Sequence, residues 1–288
     1  MKNGTAIRMV LFIIHGAGRN ADDYFCAASA SVELQGVEIC ATAGAACWEE
    51  DGSGGPWRYG ADAIASLSAT NFSSFAVLDQ FIDILLNRRA FASVERITIA
   101  GHSAGGQFVQ RWSLLTRMWD DRFHGVVANP SSYAFLTPLR SIHGKWQLPS
   151  TRCNQYNQWE WGVAVGGNYT VPYVDGVLHR LDLSTLIHRF GKRSMYYMVG
   201  SQDVCTVPGN SKGWCSSHGL ESTCMDRMQG RNRWERNSRY MDSLRLVGVG
   251  ETHNRIVVPG VGHDHSLMFN SKQGIAAIYG SHVVAGAM

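Results

Sequence analysis

The chain has 288 residues, 45% of them hydrophobic, and a formal net charge of +3 at pH 7. This size and apolar content are enough for a sizeable core, and we expect one domain over residues 1–288. The small charge, without a dense basic run interleaved with aromatics, argues against nucleic-acid binding. No apolar stretch approaches the ~20 residues of a membrane span. The oligomeric state stays open.

Segments typical of strands alternate with segments typical of helices. In chain order the pattern predicts strands at 8–14, 37–41, 96–100, 123–128, 195–199 and 255–258. Between them it predicts helices within 21–34, 72–89, 107–118, 225–246 and 267–279, and a glycine-rich loop at 44–60. This alternation predicts an α/β fold: a doubly wound, mostly parallel sheet with helices on both faces.

The first apolar segment, behind Lys2 and Arg8, resembles a short signal sequence but is too brief for one. We interpret it as a strand. The compartment stays open between the cytoplasm and secretion with a leader trimmed from this sequence.

Residues 131–192 break the alternation, because they show no clean periodicity and many aromatic residues. A long segment without regular structure is typical of an active-site lid. We therefore expect a cap inserted at 131–192. The alternative is that the aromatics simply pack this segment onto the body.

The segment around Ser103 carries the main catalytic signal. A short apolar strand runs into G-H-S-A-G at residues 101–105, and a helical pattern follows, as in a nucleophile elbow. A second G-x-S-x-G surrounds Ser211, but it follows Pro208 in a run of turn-forming residues. We therefore expect Ser103 to be the nucleophile and Ser211 to lie in a surface loop.

A serine nucleophile needs an acid, a base and oxyanion donors. Asp203 follows the strand at 195–199 and is the expected acid; His263 follows the last strand and is the expected base, with His265 as its rival. The expected oxyanion donors are the backbone amides of Ala17, after the first strand, and Ala104, directly after the nucleophile.

Five further residues are expected to contact the substrate. For His102 the alternative is packing around the elbow, and for the aromatic pair it is packing of the cap. His263 and His265 alone do not make a metal site, and we expect neither metal nor cofactor. The five expected contacts are Gly16, Gly18, His102, Tyr133 and Trp159.

Two other features leave alternatives open. The predicted helix at 225–246 is rich in arginine, and a solvated face or ion pairs to the body are favoured there over an anionic partner. Its basic residues include Arg227, Arg231, Arg233, Arg236 and Arg239. Seven cysteines allow either one or two disulfides or buried thiols. These are Cys26, Cys40, Cys47, Cys153, Cys205, Cys215 and Cys224.

Together these motifs resemble an esterase-like branch of the α/β-hydrolase-fold serine hydrolases. The shared segments are H-G-A-G-R-N (15–20), G-H-S-A-G-G-Q (101–107), N-P-S-S-Y (129–133), Q-G with Arg231 and Arg233, and G-H-D (262–264). The opening at 15–22 also resembles that of extracellular polyester depolymerases. One departure is that the strand before the oxyanion loop begins almost at Met1, so we expect the leading antiparallel strands of larger members to be either absent or trimmed from this sequence.

The resemblance implies a serine hydrolase that forms an acyl-enzyme. We expect a carboxylic ester substrate with a short to medium or aromatic acyl group. The alternatives are an amidase, peptidase or lactonase with the same triad, or a non-catalytic binding protein of this fold. A serine at the elbow argues against dehalogenase and epoxide hydrolase chemistry, which use an aspartate.

Overall fold

A computed structural model describes residues 6–18, 20–29, 57–63, 72–118, 120–150, 152–164, 171–205 and 219–280. The predicted strand at 37–41, most of the glycine-rich loop, Ser211 and three of the cysteines lie outside these residues.

The described part of the chain forms one five-stranded parallel sheet. Its strands lie in the order β1 (Met9–Ile14), β2 (Arg96–His102), β3 (Phe123–Ala128), β6 (Ser194–Gly200) and β7 (His253–Val258). Each of these strands was predicted from its β-branched and apolar residues. Because all five run in the same direction, their carboxyl ends share one edge of the sheet, where Ser103, Asp203 and His263 follow.

Helices cover both faces of the sheet, and two hydrophobic clusters fill the space between. Alternate residues of one strand divide between the clusters, as Val127 and Val126 do on β3. One face carries α2 (Ser74–Leu86), α3 (Ala104–Leu115), α4 (Pro172–Leu178), α5 (Leu183–Gly191) and α7 (Arg233–Leu246). The other carries α1 (Ala21–Ser29), α8 (His265–Asn270) and α9 (Lys272–Tyr279). This is the predicted α/β architecture.

Two predicted helices are each divided in two. Residues 225–246 form α6 (Cys224–Gln229) and α7, separated at Gly230, whose φ of 150° no helix allows. Asn232 then caps α7 by accepting a hydrogen bond from the Glu235 amide. Residues 267–279 belong to α8 and α9, which meet at Ser271, the N-cap of α9.

The segment 131–192 is more regular than its sequence pattern indicated. It contains a short hairpin, β4 (Arg140–Ile142) with β5 (Lys145–Gln147), and the helices α4 and α5. Tyr133, Phe135 and Trp159 belong to the main hydrophobic cluster, so for these rings the structure supports packing onto the body. The assignment of 131–192 as a cap stays a prediction.

The described cysteines include both disulfide-bonded and free residues. Cys153 and Cys224 form a disulfide that links the 131–192 segment to α6. Cys205 is disulfide-bonded as well, and Cys26 is an exposed free thiol. Within the described ranges, no helix is long and apolar enough to cross a membrane.

Glu221 connects three parts of the fold through hydrogen bonds: the segment at 57–59, α3 and the chain after β3. Its carboxylate accepts hydrogen bonds from Arg58 Nη2 (2.7 Å), Tyr59 Oη (2.7 Å) and Gln107 Nε2 (2.8 Å), and from Ser132 Oγ (3.1 Å). Burial disfavours the charged carboxylate, but Arg58 and the Tyr59 hydroxyl outweigh it and lower the pKa of Glu221 to about 2. The folded protein therefore favours the ionised form of Glu221.

We expect Glu221→Gln to lower the free energy of unfolding by about 2 kcal/mol at pH 7, because the partly buried Arg58 loses its partner. An unfolded glutamate titrates near pH ~4.3. Since the folded pKa is lower, the contribution is complete above ~4.3 and is lost as the pH falls towards 2. The difference between wild type and variant should therefore be smaller at pH 3.5 than at pH 7.

The measurement is urea unfolding at both pH values. Glu95→Gln is the control, because the Arg8–Glu95 pair is exposed and should leave stability nearly unchanged. Equal effects of the two substitutions, or a Glu221→Gln effect that grows on acidification, would contradict this account.

Candidate active site

Ser103 lies on a strained turn between β2 and α3. Its φ and ψ are 58° and −120°, a conformation that serine rarely adopts. Its amide donates to the Ala128 carbonyl at 2.9 Å, which holds the turn against β3. A Cβ on Gly105 would lie 2.1 Å from the Ile14 carbonyl oxygen. The elbow therefore requires glycine there, and β1 ends directly against it.

Asp203 and His263 form a buried pair although they are separated by 60 residues. Asp203 lies in a tight turn after β6, where its amide donates to the Gly200 carbonyl at 3.0 Å. His263 Nδ1 donates to Asp203 Oδ2 at 2.8 Å, and each side chain is 1% exposed. Water is thus excluded from the hydrogen bond, and the imidazole has a fixed orientation.

Backbone contacts hold the two loops that carry this pair together. The amides of Ser201 and Gln202 donate to the carbonyls of Val258 and Val261 at 2.9 Å and 2.8 Å. A Cβ on Gly200 would lie 2.3 Å from the Val261 carbonyl oxygen. The absence of a side chain at Gly200 therefore lets the histidine loop approach the aspartate loop.

The buried pair lies beside the elbow. The ring of His102, the residue before Ser103, has its centroid 4.5 Å from that of His263. The structure therefore brings the expected acid and base together next to the expected nucleophile.

Arg233 is a charged neighbour of the pair that sequence reasoning did not assign. Its Nη1 lies 3.6 Å from Asp203 Oδ1, and its side chain is 1% exposed. Opposite charge in a buried site favours the ionised carboxylate that the histidine needs as a partner. In the arginine-rich segment 225–246, Arg233 and Arg236 are buried. Arg231 and Arg239 instead form ion pairs with Glu235.

His265, the rival base, has a different partner from His263. Its ring stacks on Tyr24 with centroids 4.0 Å apart and an interplanar angle of 8°. Asp264 caps α8 by accepting from the Leu267 amide at 2.8 Å. Among the described residues, no group of three or more histidine, cysteine or acidic side chains is arranged to hold a metal ion.

The expected oxyanion residues lie on both sides of the elbow. Ala104 is the buried first residue of α3, and Ala17 is exposed in the turn after β1. Gly16 is buried and Gly18 is exposed in the same turn. The neighbouring His15 packs on Trp57, with ring centroids 4.9 Å apart.

Three of the expected substrate contacts are buried residues. Tyr133 is fully buried, stacks on Tyr240 and accepts a hydrogen bond from Asn237. Trp159 is buried in the same core and donates to the Tyr59 carbonyl at 2.9 Å. His102 is buried behind the elbow, as its alternative interpretation predicted. These side chains pack inside the fold, and their contact with the substrate stays a prediction.

Comparison with known proteins identifies the fold. No protein-family model and no curated protein sequence matches this chain. A solved structure described as poly(aspartic acid) hydrolase-1 from Sphingomonas sp. KT-1 is 21% identical, with 96% of this chain and 89% of that chain covered and a TM-score of 0.59. LpqC, a poly(3-hydroxybutyrate) depolymerase from Bordetella parapertussis, is 20% identical, with 99% and 85% covered and a TM-score of 0.55. The chain therefore has the α/β-hydrolase fold.

The close packing at the elbow leads to a stability prediction. We expect Gly105→Ala to lower the free energy of unfolding by about 2 kcal/mol or more, because the added methyl group would overlap the end of β1. Gly176→Ala on α4 is the matched control: its Cβ would meet no atom within 4 Å, so alanine should stabilise the protein by up to about 1 kcal/mol. Denaturant unfolding of both variants measures the difference, and equal stabilities would refute the packing argument.

Proposed function

We propose that the protein is a serine hydrolase that cleaves carboxylic esters through an acyl-enzyme. The observation that carries the proposal is the buried Asp203–His263 hydrogen bond beside the strained Ser103 turn. Few structural roles require a serine in this conformation next to such a pair. A nucleophile, its base and an orienting acid do require it.

In the proposed reaction, Ser103 Oγ attacks the ester carbonyl carbon and its proton passes to His263 Nε2. Asp203 accepts the Nδ1 hydrogen bond and stabilises the imidazolium that forms. The amides of Ala17 and Ala104 donate to the oxyanion. The alcohol leaves with the proton from His263, and water then attacks the acyl carbon while giving a proton to His263. His263 returns this proton to Ser103 Oγ as the bond to the acyl group breaks, which releases the carboxylic acid and restores Ser103.

The chemistry of the leaving group and the surroundings of the elbow support an ester substrate. An alkoxide leaves more readily than an amine, so the triad favours esters. Trp57 packs against both His15 and Phe108, which places a buried aromatic group between the oxyanion loop and α3. These rings favour a compact or aromatic acyl group. Tyr133 and Trp159 belong to the same buried cluster as Trp57, and their part in acyl-group selection stays a prediction.

The alternatives share the same residues. One fold neighbour is described as a depolymerase and the other as a poly(aspartic acid) hydrolase, so amidase or peptidase activity is the second candidate. A lactonase is a third. A binding protein of this fold would need neither the pair nor the strained serine.

The two histidines of the last loop provide a matched test of the base. We expect His263→Ala to remove nearly all turnover, because Ser103 would lose its proton acceptor. His265→Ala should keep substantial activity, since its ring lies on Tyr24. Wild-type activity should rise with pH as the base loses its proton. The reverse order of the two variants would move the base to His265, and inhibition by chelators would argue for a metal.

A substrate panel tests the acyl class. We expect p-nitrophenyl esters of short and medium acyl groups to be cleaved at least about ten times faster than palmitoyl esters or aminoacyl anilides. The measurement is kcat/KM for each compound, with Ser103→Ala as the background control. Preference for an anilide would indicate an amidase or peptidase. No turnover of any compound by the wild type would favour a binding protein.

A further inference from the structure

Asn129 lies at the meeting point of the three loops that carry the proposed triad. It follows β3, is fully buried and has a φ of 44°. Its side-chain Oδ1 accepts from the Gly200 amide at 2.9 Å, at the end of the strand that leads to Asp203. Its Nδ2 donates to the Gly262 carbonyl at 3.2 Å, directly before His263.

The second Nδ2 hydrogen faces the elbow. His102 Nε2 lies 3.2 Å from Asn129 Nδ2. Because the Gly200 amide can only donate, it requires Oδ1 on its side and therefore sets the orientation of the amide. Nδ2 must then donate to His102 Nε2, which leaves that nitrogen without a proton.

This arrangement selects one tautomer of His102. With Nε2 as an acceptor, the neutral ring carries its proton on Nδ1, which lies 3.3 Å from Tyr24 Oη. The Tyr24 hydroxyl lies against Gly16, where a Cβ would come within 2.5 Å of it. The three side chains thus form a continuous buried series from the oxyanion loop to the histidine loop.

We propose that Tyr24, His102 and Asn129 are positioning residues that hold the loops of the proposed triad in register, with His102 kept neutral as the Nδ1–H tautomer. The inference rests on the proposed function, because it concerns how His263 is oriented towards Ser103. None of the three touches the reacting atoms in this account. Each acts through the loop that it binds.

The groups around His102 favour its neutral state on balance, because His263, His265 and Arg233 lower its pKa whereas Asp203 raises it. These groups are Tyr24 on α1, His263 after β7, His265 on α8, Asp203 after β6 and Arg233 on α7. Burial lowers the pKa of His102 well below its ordinary value, and the proximity of His263 lowers it further. Burial also raises the pKa of Tyr24 to about 12. A neutral His102 leaves His263 as the ring that accepts the proton during catalysis.

The first test is Asn129→Asp, which can accept from Gly200 but cannot donate to Gly262 or His102. We expect the rate constant for phosphonylation of Ser103 by a fluorophosphonate to fall by about tenfold or more, because His263 loses its fixed position. The added negative charge should also move the acid limb of the pH–rate profile upward by about half a unit or more. The reaction needs no knowledge of the natural substrate.

Asn237→Asp is the matched control, because Asn237 is an equally buried asparagine on α7 whose partners are Tyr133 and Arg255. It should lower stability without moving the pH profile. If both variants lose rate equally with unmoved profiles, Asn129 has only a structural role and the inference is wrong.

A second measurement uses the wild type, so it decides the question if Asn129→Asp does not fold. Nitrogen-15 NMR of histidine-labelled protein should show His102 as the neutral Nδ1–H tautomer from pH 5 to 9. A protonated Nε2 or a titration of His102 in that range would overturn the inference. If wild-type Ser103 does not react with the phosphonate, the proposed function fails, and this spectrum still tests the hydrogen-bonded series separately.

Discussion

The buried hydrogen bond between His263 Nδ1 and Asp203 Oδ2 is the interaction on which the rest of the site depends. A carboxylate removed from water is costly unless other groups stabilise its charge. Here the imidazole and Arg233 supply that stabilisation, and both partners are 1% exposed. The pair can form only because the loops after β6 and β7 approach each other closely. A side chain at Gly200 would prevent this approach. The sheet topology, the glycine at position 200 and the charge of Arg233 thus all favour the contact between Asp203 and His263.

Polar residues that are buried or partly buried also connect the layers of the fold. Asn129 joins the ends of three strands, and Glu221 joins α3 to the segments at 57–59 and 131–132. Such groups stabilise a fold only when every partner is present, because an unsatisfied buried group costs more than a hydrogen bond contributes. The same contacts that hold the layers together therefore also restrict the positions of the loops at the carboxyl edge of the sheet.

Much of this arrangement could be predicted from local patterns. Five strands, the turn at Ser103 and the proximity of Asp203 and His263 follow from apolar periodicity and from parallel strands that end at one edge. Arg233 and Asn129 belong to the segments that resemble esterase-like proteins, but their contacts could not be predicted, because their partners are distant in sequence. The breaks at Gly230 and Ser271 did carry capping signals, which the long helical periodicity obscured. For Tyr133 and Trp159, aromatic content alone does not distinguish a core residue from a pocket wall.

The most direct test of the central claim is the site of covalent labelling by a fluorophosphonate. The wild-type protein would be treated with the reagent, digested and mapped by mass spectrometry, with Ser103→Ala and Ser211→Ala treated in parallel. The account predicts one adduct on Ser103, lost in Ser103→Ala and retained in Ser211→Ala. An adduct on Ser211, or an unreactive wild type, would contradict it.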